Sequence, residues 1–177
     1  MILTMAPIIG QKAKLVPFGE ADITDRYIGW LNDPLVVRYS DQRFRRHTRE
    51  ACLSYLRSFE GTDDQFFLVR TLAGDRPVGT IVAHVATPHG TADIGILIGE
   101  RDCWGQSIGL DAWRTLMQFL FQEKGLRKVT GGTLRCNVGM IKVMERSGMR
   151  HEATRYRQQI VEGTEQDILY YAKFRED

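Results

Sequence analysis

The feature that most constrains this chain is a unit in its middle. A nearly all-apolar run, Ile94–Ile98, leads into Cys103-Trp104-Gly105-Gln106-Ser107-Ile108-Gly109, and that loop opens an amphipathic segment reaching Lys124. Within Gly109–Lys124, Trp113, Leu116, Met117, Leu120 and Phe121 recur at helical spacing, and Gly125 stands where a helix end tolerates positive φ. The unit reads as strand, glycine-bearing turn and helix. Such a turn offers unpaired backbone N–H groups and the positive end of a helix dipole, which suits a pyrophosphate; the plainer reading is an ordinary tight strand-to-helix turn.

The remaining periodicities extend this unit in both directions. Lys12–Pro17 reads as a strand, Asp22–Leu31 as a helix that must stop near Asn32-Asp33-Pro34, and Thr48 opens a second helix running to about Phe59, before Gly61. Gln65–Thr71, Pro77–Ala86 and Thr91–Gly99 follow as an antiparallel meander with turns at Gly74-Asp75 and Pro88-His89-Gly90. After the amphipathic helix come a strand at Lys128–Leu134, a short helix at Val138–Arg146 closed by Gly148, and a hairpin of Tyr156–Val161 with Asp167–Phe174 across Glu162-Gly163. The fold class is α/β (α+β), about seven strands and four helices. No repeat or Pro/Ser-rich linker interrupts the 177 residues, so the expectation is one domain over 1–177.

Composition narrows the setting. A hydrophobic fraction of 43% and a charged fraction of 26% belong to a globular chain, and a net charge of +2 gives no general pull toward nucleic acid or membrane. Cys52, Cys103 and Cys136 have no metal-ligand spacing, and their odd number without a secretory signal suggests free thiols. The expectations are a cytoplasmic protein without a metal and with neither a nucleic-acid nor a membrane partner; an exposed edge on the final hairpin leaves a homodimer open.

Several motifs in order resemble the GNAT acetyltransferase superfamily, in the branch that includes ribosomal-protein N-terminal acetyltransferases and amino-sugar acetyltransferases. They are Trp30-Leu31-Asn32-Asp33-Pro34, Ile94-Gly95-Ile96-Leu97-Ile98-Gly99, Trp104 through Ala112, and Asn137 followed by Ile141 to Met149. The resemblance implies a splayed, mostly antiparallel mixed sheet whose V holds the pantetheine arm of acetyl-coenzyme A. Backbone groups of Ile96, Leu97 and Ile98 would bond that arm, and Trp104, Gly105, Gln106, Ser107, Ile108 and Gly109 would form the phosphate loop. Asn137 would lie beside the coenzyme, and it is also a good N-cap for the helix that follows. The family usually has glycine at Ser107 and a basic residue at Gln106, so fewer charges would face the phosphates and the backbone N–H groups must do more.

Acetyl transfer needs a neutral amine, and a lysine-like amine of pKa ~10.4 is only about one part in a thousand neutral at pH 7. Peptide-acetylating relatives use a glutamate and a tyrosine where this chain has Gly132 and Met144, and a serine used in the ribosomal branch is replaced by Met140. The candidate proton-handling residues are therefore Glu100, Asp93 and His84, which read equally as a solvated strand end, a turn residue and an outward polar face. An ordered water is a further route. A missing base favours an α-amine or sugar amine over lysine, because such amines are already partly neutral.

Tyr39-Ser40-Asp41-Gln42-Arg43-Phe44-Arg45-Arg46-His47 joins the first two helices, and the resemblance puts this connection beside the acceptor. Tyr39, Arg43, Phe44 and Arg45, with Arg46, offer forked donors and flat rings that suit a phosphate-bearing acceptor and repel a polyamine; the plainer reading is a solvated charged loop. The expected activity is acetyl-coenzyme A-dependent N-acetylation of a small anionic amine, with a nucleotide-linked amino sugar ahead of a protein N-terminus. A non-catalytic acyl-coenzyme A sensor or assembly module is the reading from another class.

Overall fold

The computed structural model describes residues 5–177. Eight strands form one sheet: β1 (Ile8–Ile9), β2 (Ala13–Pro17), β3 (Gln65–Thr71), β4 (Pro77–Ala86), β5 (Thr91–Ile98), β6 (Lys128–Leu134), β7 (Arg150–Val161) and β8 (Thr164–Phe174). Their order is β1-β2-β3-β4-β5-β6-β8-β7, and every neighbouring pair is antiparallel except β5 with β6. That parallel pair is bonded only from Thr91–Asp93 against Lys128–Thr130, after which the strands diverge. The sheet is therefore splayed, as expected, with one more strand than the sequence reading gave.

Four α-helices flank the sheet: α1 (Asp25–Asn32), α2 (Arg49–Arg57), α3 (Ile108–Gln122) and α4 (Val138–Arg146). Tyr27, Trp30 and Leu31 of α1 and Cys52 of α2 bury one face of the sheet against Phe66, Leu68, Val82 and Leu97. Helix α3 covers the opposite face, where Trp113, Leu116 and Leu120 meet Leu15, Phe67, Ile81, Ala92 and Ile94. The alternation of β4 and β5 sends Ile81, Ala83, Ile94 and Ile96 toward α3 and sends Val82 and Leu97 toward α1 and α2.

Two boundaries moved for identifiable reasons. Helix α1 begins at Asp25 rather than Asp22, because Thr24 accepts the Tyr27 N–H at 3.3 Å as its cap and residues 20–22 form a separate single turn. Strand β7 begins at Arg150 rather than Tyr156. It is an exposed edge strand with register shifts at His151/Ala153 and Arg155/Gln159, so its residues carry no clean alternation.

The β1–β2 turn is fixed to α3 by one carboxylate. Asp111 accepts the backbone N–H groups of Gln11, Lys12 and Ala13 at 3.1, 2.8 and 2.9 Å, while Lys12 Nζ donates to the Gln106 carbonyl at 2.9 Å. Asp111→Ala leaves three amides without this acceptor and is expected to destabilise the protein by about 2–3 kcal/mol. Thermal unfolding checks it, with a fall in Tm of roughly 5–10 °C for a chain of this size.

Candidate active site

The ladder between β4 and β5 determines which backbone groups are free. Gly99 N–H donates to the Val78 carbonyl at 2.8 Å, and the register then pairs Leu97 with Thr80, Gly95 with Val82 and Asp93 with His84. Antiparallel alternation ties the polar groups of Leu97, Gly95 and Asp93 to β4 and turns those of Ile94, Ile96 and Ile98 toward the splay. Interior backbone groups need partners, and the divergence of β6 removes them here. The Ile98 carbonyl accepts the Trp104 indole N–H at 2.9 Å. Leu97, expected with Ile96 and Ile98 to offer backbone groups to the pantetheine, lines the cleft, but its polar groups belong to the ladder with β4.

The loop completes this seat. Thr24, Thr48 and Asn137 accept an N–H at the starts of α1, α2 and α4, whereas Ser107, at the start of α3, makes no such bond. The N–H groups of Ser107, Ile108, Gly109 and Leu110 have no protein acceptor among the described residues. Four directed donors at the positive end of the longest helix form a seat for an anion. Ser107 has φ 63°, so the chain keeps the left-handed backbone that glycine would adopt there. Gln106 does not line the cleft; its Nε2 donates to the Asp102 carbonyl at 2.6 Å.

Splay and loop open into one cleft of about 1010 Å³. Ile96, Ile98, Trp104, Gly105, Ser107, Ile108, Gly109 and Asn137 all line it. Asn137 accepts the Met140 N–H at 3.3 Å, so the capping role and a position on the cleft wall coexist. The cleft also carries positive charge: Lys142 and Arg146, one turn apart on α4, line it. Sequence reasoning passed over both; their spacing of four on a short helix beside Asn137 was the available signal.

On the acceptor side the structure divides the expected cluster. Tyr39, Arg45, Arg46 and His47 line the cleft. Arg43 and Phe44 do not: Arg43 donates to the carbonyls of Ser40 and Ile160 at 2.8 and 3.3 Å and lies over the Phe44 ring at 4.2 Å. A single tight turn at Asp41–Phe44 sends neighbouring side chains in opposite directions. Arg38 also lines the cleft but is held by Glu162 at 3.0 Å through two of its nitrogens, whereas Arg45 and Arg46 have no carboxylate partner among the described residues. Sequence reasoning also passed over Tyr27 and Tyr55, which enter from α1 and α2; burial raises both phenol pKa values, so they present neutral hydroxyls. Burial likewise raises the Cys52 and Cys103 thiols on the cleft wall.

The three candidates for proton handling separate. Glu100 lies outside the cleft: one oxygen accepts the Trp30 indole N–H at 3.0 Å and the other is paired with Arg76, which also holds Asp102 at 2.7 Å. It ties α1 to the end of β5, with both carboxylate oxygens engaged. His84 and Asp93 do not line the cleft either; they are cross-strand partners one row beyond Val82 and Gly95, which do. They stand at the last bonded row of β5 with β6, the apex of the V, where Asp93 accepts the Thr130 hydroxyl at 2.7 Å. Partial desolvation raises the Asp93 carboxyl above the usual aspartate range against the pull of the Thr130 hydrogen bond, although the residue is still exposed at the surface.

Among the described residues no helix is long and apolar enough to cross a membrane. An uncharacterized protein of Methanocaldococcus jannaschii is 28% identical over 147 residues, or 80% of this chain, which spans 29% of that protein's length. The crystal structure of an acetyltransferase (GNAT family) from Bacillus anthracis superposes with a TM-score of 0.81 at 21% identity, covering 97% of this chain and all of the other. RimL, the ribosomal L7/L12 α-N-protein acetyltransferase, in complex with coenzyme A, superposes at 0.82 and 14% identity, covering 96% and 98%. These likenesses establish the fold. The family model described as Acetyltransferase (GNAT) domain matches residues 13–150, and the chain belongs to that family.

Proposed function

We propose that the protein moves the acetyl group of acetyl-coenzyme A onto a primary amine of a small anionic acceptor, a nucleotide-linked amino sugar ahead of a protein N-terminus. The cleft itself carries the reading. Its lining includes Arg38, Arg45, Arg46, Lys142, Arg146 and His47 and no carboxylate among the described residues. A polycation such as a polyamine would be repelled by such a wall, whereas phosphate matches the forked donors of arginine. In this reading the charge is shared between two ends: Lys142 and Arg146, on the helix packed beside α3, serve the coenzyme, and Arg45 and Arg46, with Tyr39, serve the acceptor.

Acetyl-coenzyme A supplies an acyl thioester. The chain's part is to seat it, with the free backbone of Ile96 and the N–H of Ile98 along the pantetheine arm and the amides at the start of α3 on the pyrophosphate. The ammonium proton passes through an ordered water to Asp93, which lies one row beyond the cleft lining, and the amine is then free to attack.

Arg45→Gln with Arg46→Gln is expected to raise the acceptor KM at least about tenfold while leaving acetyl-coenzyme A affinity unchanged, since the two seats are separate. Arg43→Gln, outside the cleft, serves as the control and should leave both constants alone. Steady-state kinetics with UDP-glucosamine, an N-terminal ribosomal-protein peptide and spermidine test the reading. Reaction of the peptide alone, untouched by the arginine exchange, replaces the sugar acceptor by a protein terminus; coenzyme binding without reaction on any amine leaves a sensor.

A further inference from the structure

We infer that the cleft holds a hydroxyl-binding subsite, in which Tyr27 of α1 and Thr80 of β4 bond hydroxyl groups of the acceptor and so select a polyol amine. The inference rests on the acetyl-transfer reading above and deepens its acceptor.

The two residues share one face of the sheet. Thr80 lies two residues from Val82 on β4 and is paired with Leu68 of β3 and Leu97 of β5, and all three of these neighbours pack in the cluster that contains Tyr27. The Tyr27 ring is tilted against Phe18 at 4.9 Å and stands edge-on to Trp30 at 6.3 Å between centroids, while Phe18 stacks on Phe66 at 4.2 Å. Contacts on two sides fix where the phenol points before any ligand arrives.

The pair combines burial with the lack of a partner. Tyr27 is 4% exposed and Thr80 7%, yet neither hydroxyl is bonded to a protein group among the described residues. Among those residues no side-chain polar atom is both sealed from solvent and unpartnered, so the two hydroxyls open on the cleft that both residues line. Water meets their need until a ligand displaces it, and a ligand that offers no hydrogen bond in return binds worse.

The surroundings select the chemistry of that ligand. Leu31, Cys52, Phe66 and Val82 line the cleft, pack in the same cluster and present no charge. A charged group seated among them would lose its hydration without a counter-charge. Burial lifts the Tyr27 phenol well above the ordinary tyrosine range, so it stays protonated. Each hydroxyl both donates and accepts, which complements another hydroxyl, whereas a peptide carbonyl only accepts and a peptide N–H only donates. A sugar ring carries several such groups beside its amine, and Arg45 and Arg46 of the same lining remain for an anionic substituent.

Tyr27→Phe and Thr80→Val each remove one hydroxyl and keep the shape of the side chain. The acceptor probes are UDP-glucosamine and UDP-ethanolamine, which keeps the diphosphate and the amine but has no ring hydroxyls. Each variant is expected to lose at least about tenfold in kcat/KM for UDP-glucosamine, through KM, and to stay within about twofold for UDP-ethanolamine. The Tm of both variants should equal or exceed that of wild type, since no protein hydrogen bond is lost. Calorimetric titration of the two probes without coenzyme reads the subsite without turnover: wild type should prefer UDP-glucosamine, and each variant should narrow the preference. No preference in wild type, equal losses on both probes, or a lower Tm that marks the hydroxyls as structural overturns the inference. Absence of acetyl-coenzyme A binding overturns the acetyl-transfer reading instead, and the titration still decides the subsite.

Discussion

Gly109→Val is expected to weaken acetyl-coenzyme A binding by at least about 100-fold, equivalent to ~2.7 kcal/mol, with the fold retained. Gly109 lies in the first turn of α3 and lines the cleft beside the free amides of Ser107 and Ile108. A Cβ there would meet Ile98 Cγ1 at 3.4 Å and Ile96 Cδ1 at 4.0 Å, ordinary contacts that the scaffold accommodates. The γ-methyl groups of valine extend beyond these contacts, and the overpacking falls on the first turn of α3, whose free amides form the proposed seat. Calorimetry of the variant against wild type, with circular dichroism to confirm the fold, checks this. Gly109→Ala should lose much less, and an unchanged affinity in the valine variant would move the coenzyme away from this loop.

Gly79→Ala is expected to be the most damaging single methyl group in the sheet, lowering stability by more than about 3 kcal/mol. Its Cβ would overlap the Leu97 carbonyl oxygen and lie 2.9 Å from Ile98 Cα. Both are backbone atoms of β5, so no side-chain rotation relieves the contact and the β4–β5 ladder must open. Urea denaturation checks it as a lower midpoint with unchanged m. Because the displaced strand carries Ile96 and Ile98, coenzyme affinity should fall with stability.

The sequence made the helices and central strands legible because each carries its own period and its own cap. Thr48 and Asn137 cap their helices as read, and the apolar run at Ile94–Ile98 became the splayed strand at the cleft. Strand β1 has only two residues, too few for any alternation, and β7 is a polar edge whose register breaks twice. Side-chain destinations were the harder part, since they depend on contacts remote in sequence. The partners of Glu100 come from positions 30 and 76. Arg43 and Arg45 differ by two residues, yet the turn between Ser40 and Arg45 sends one to backbone carbonyls and the other into the cleft. Asp64 and His84, twenty residues apart, meet only because β3 and β4 pair.

The cationic cleft opposite an uncapped helix is the centre of the account, and thiol release from acetyl-coenzyme A measures its consequence most directly. With UDP-glucosamine, a ribosomal-protein N-terminal peptide and spermidine assayed side by side, the anionic amine should release thiol fastest and spermidine slowest. Fastest release with spermidine, or no calorimetric binding of acetyl-coenzyme A at millimolar concentration, would contradict it.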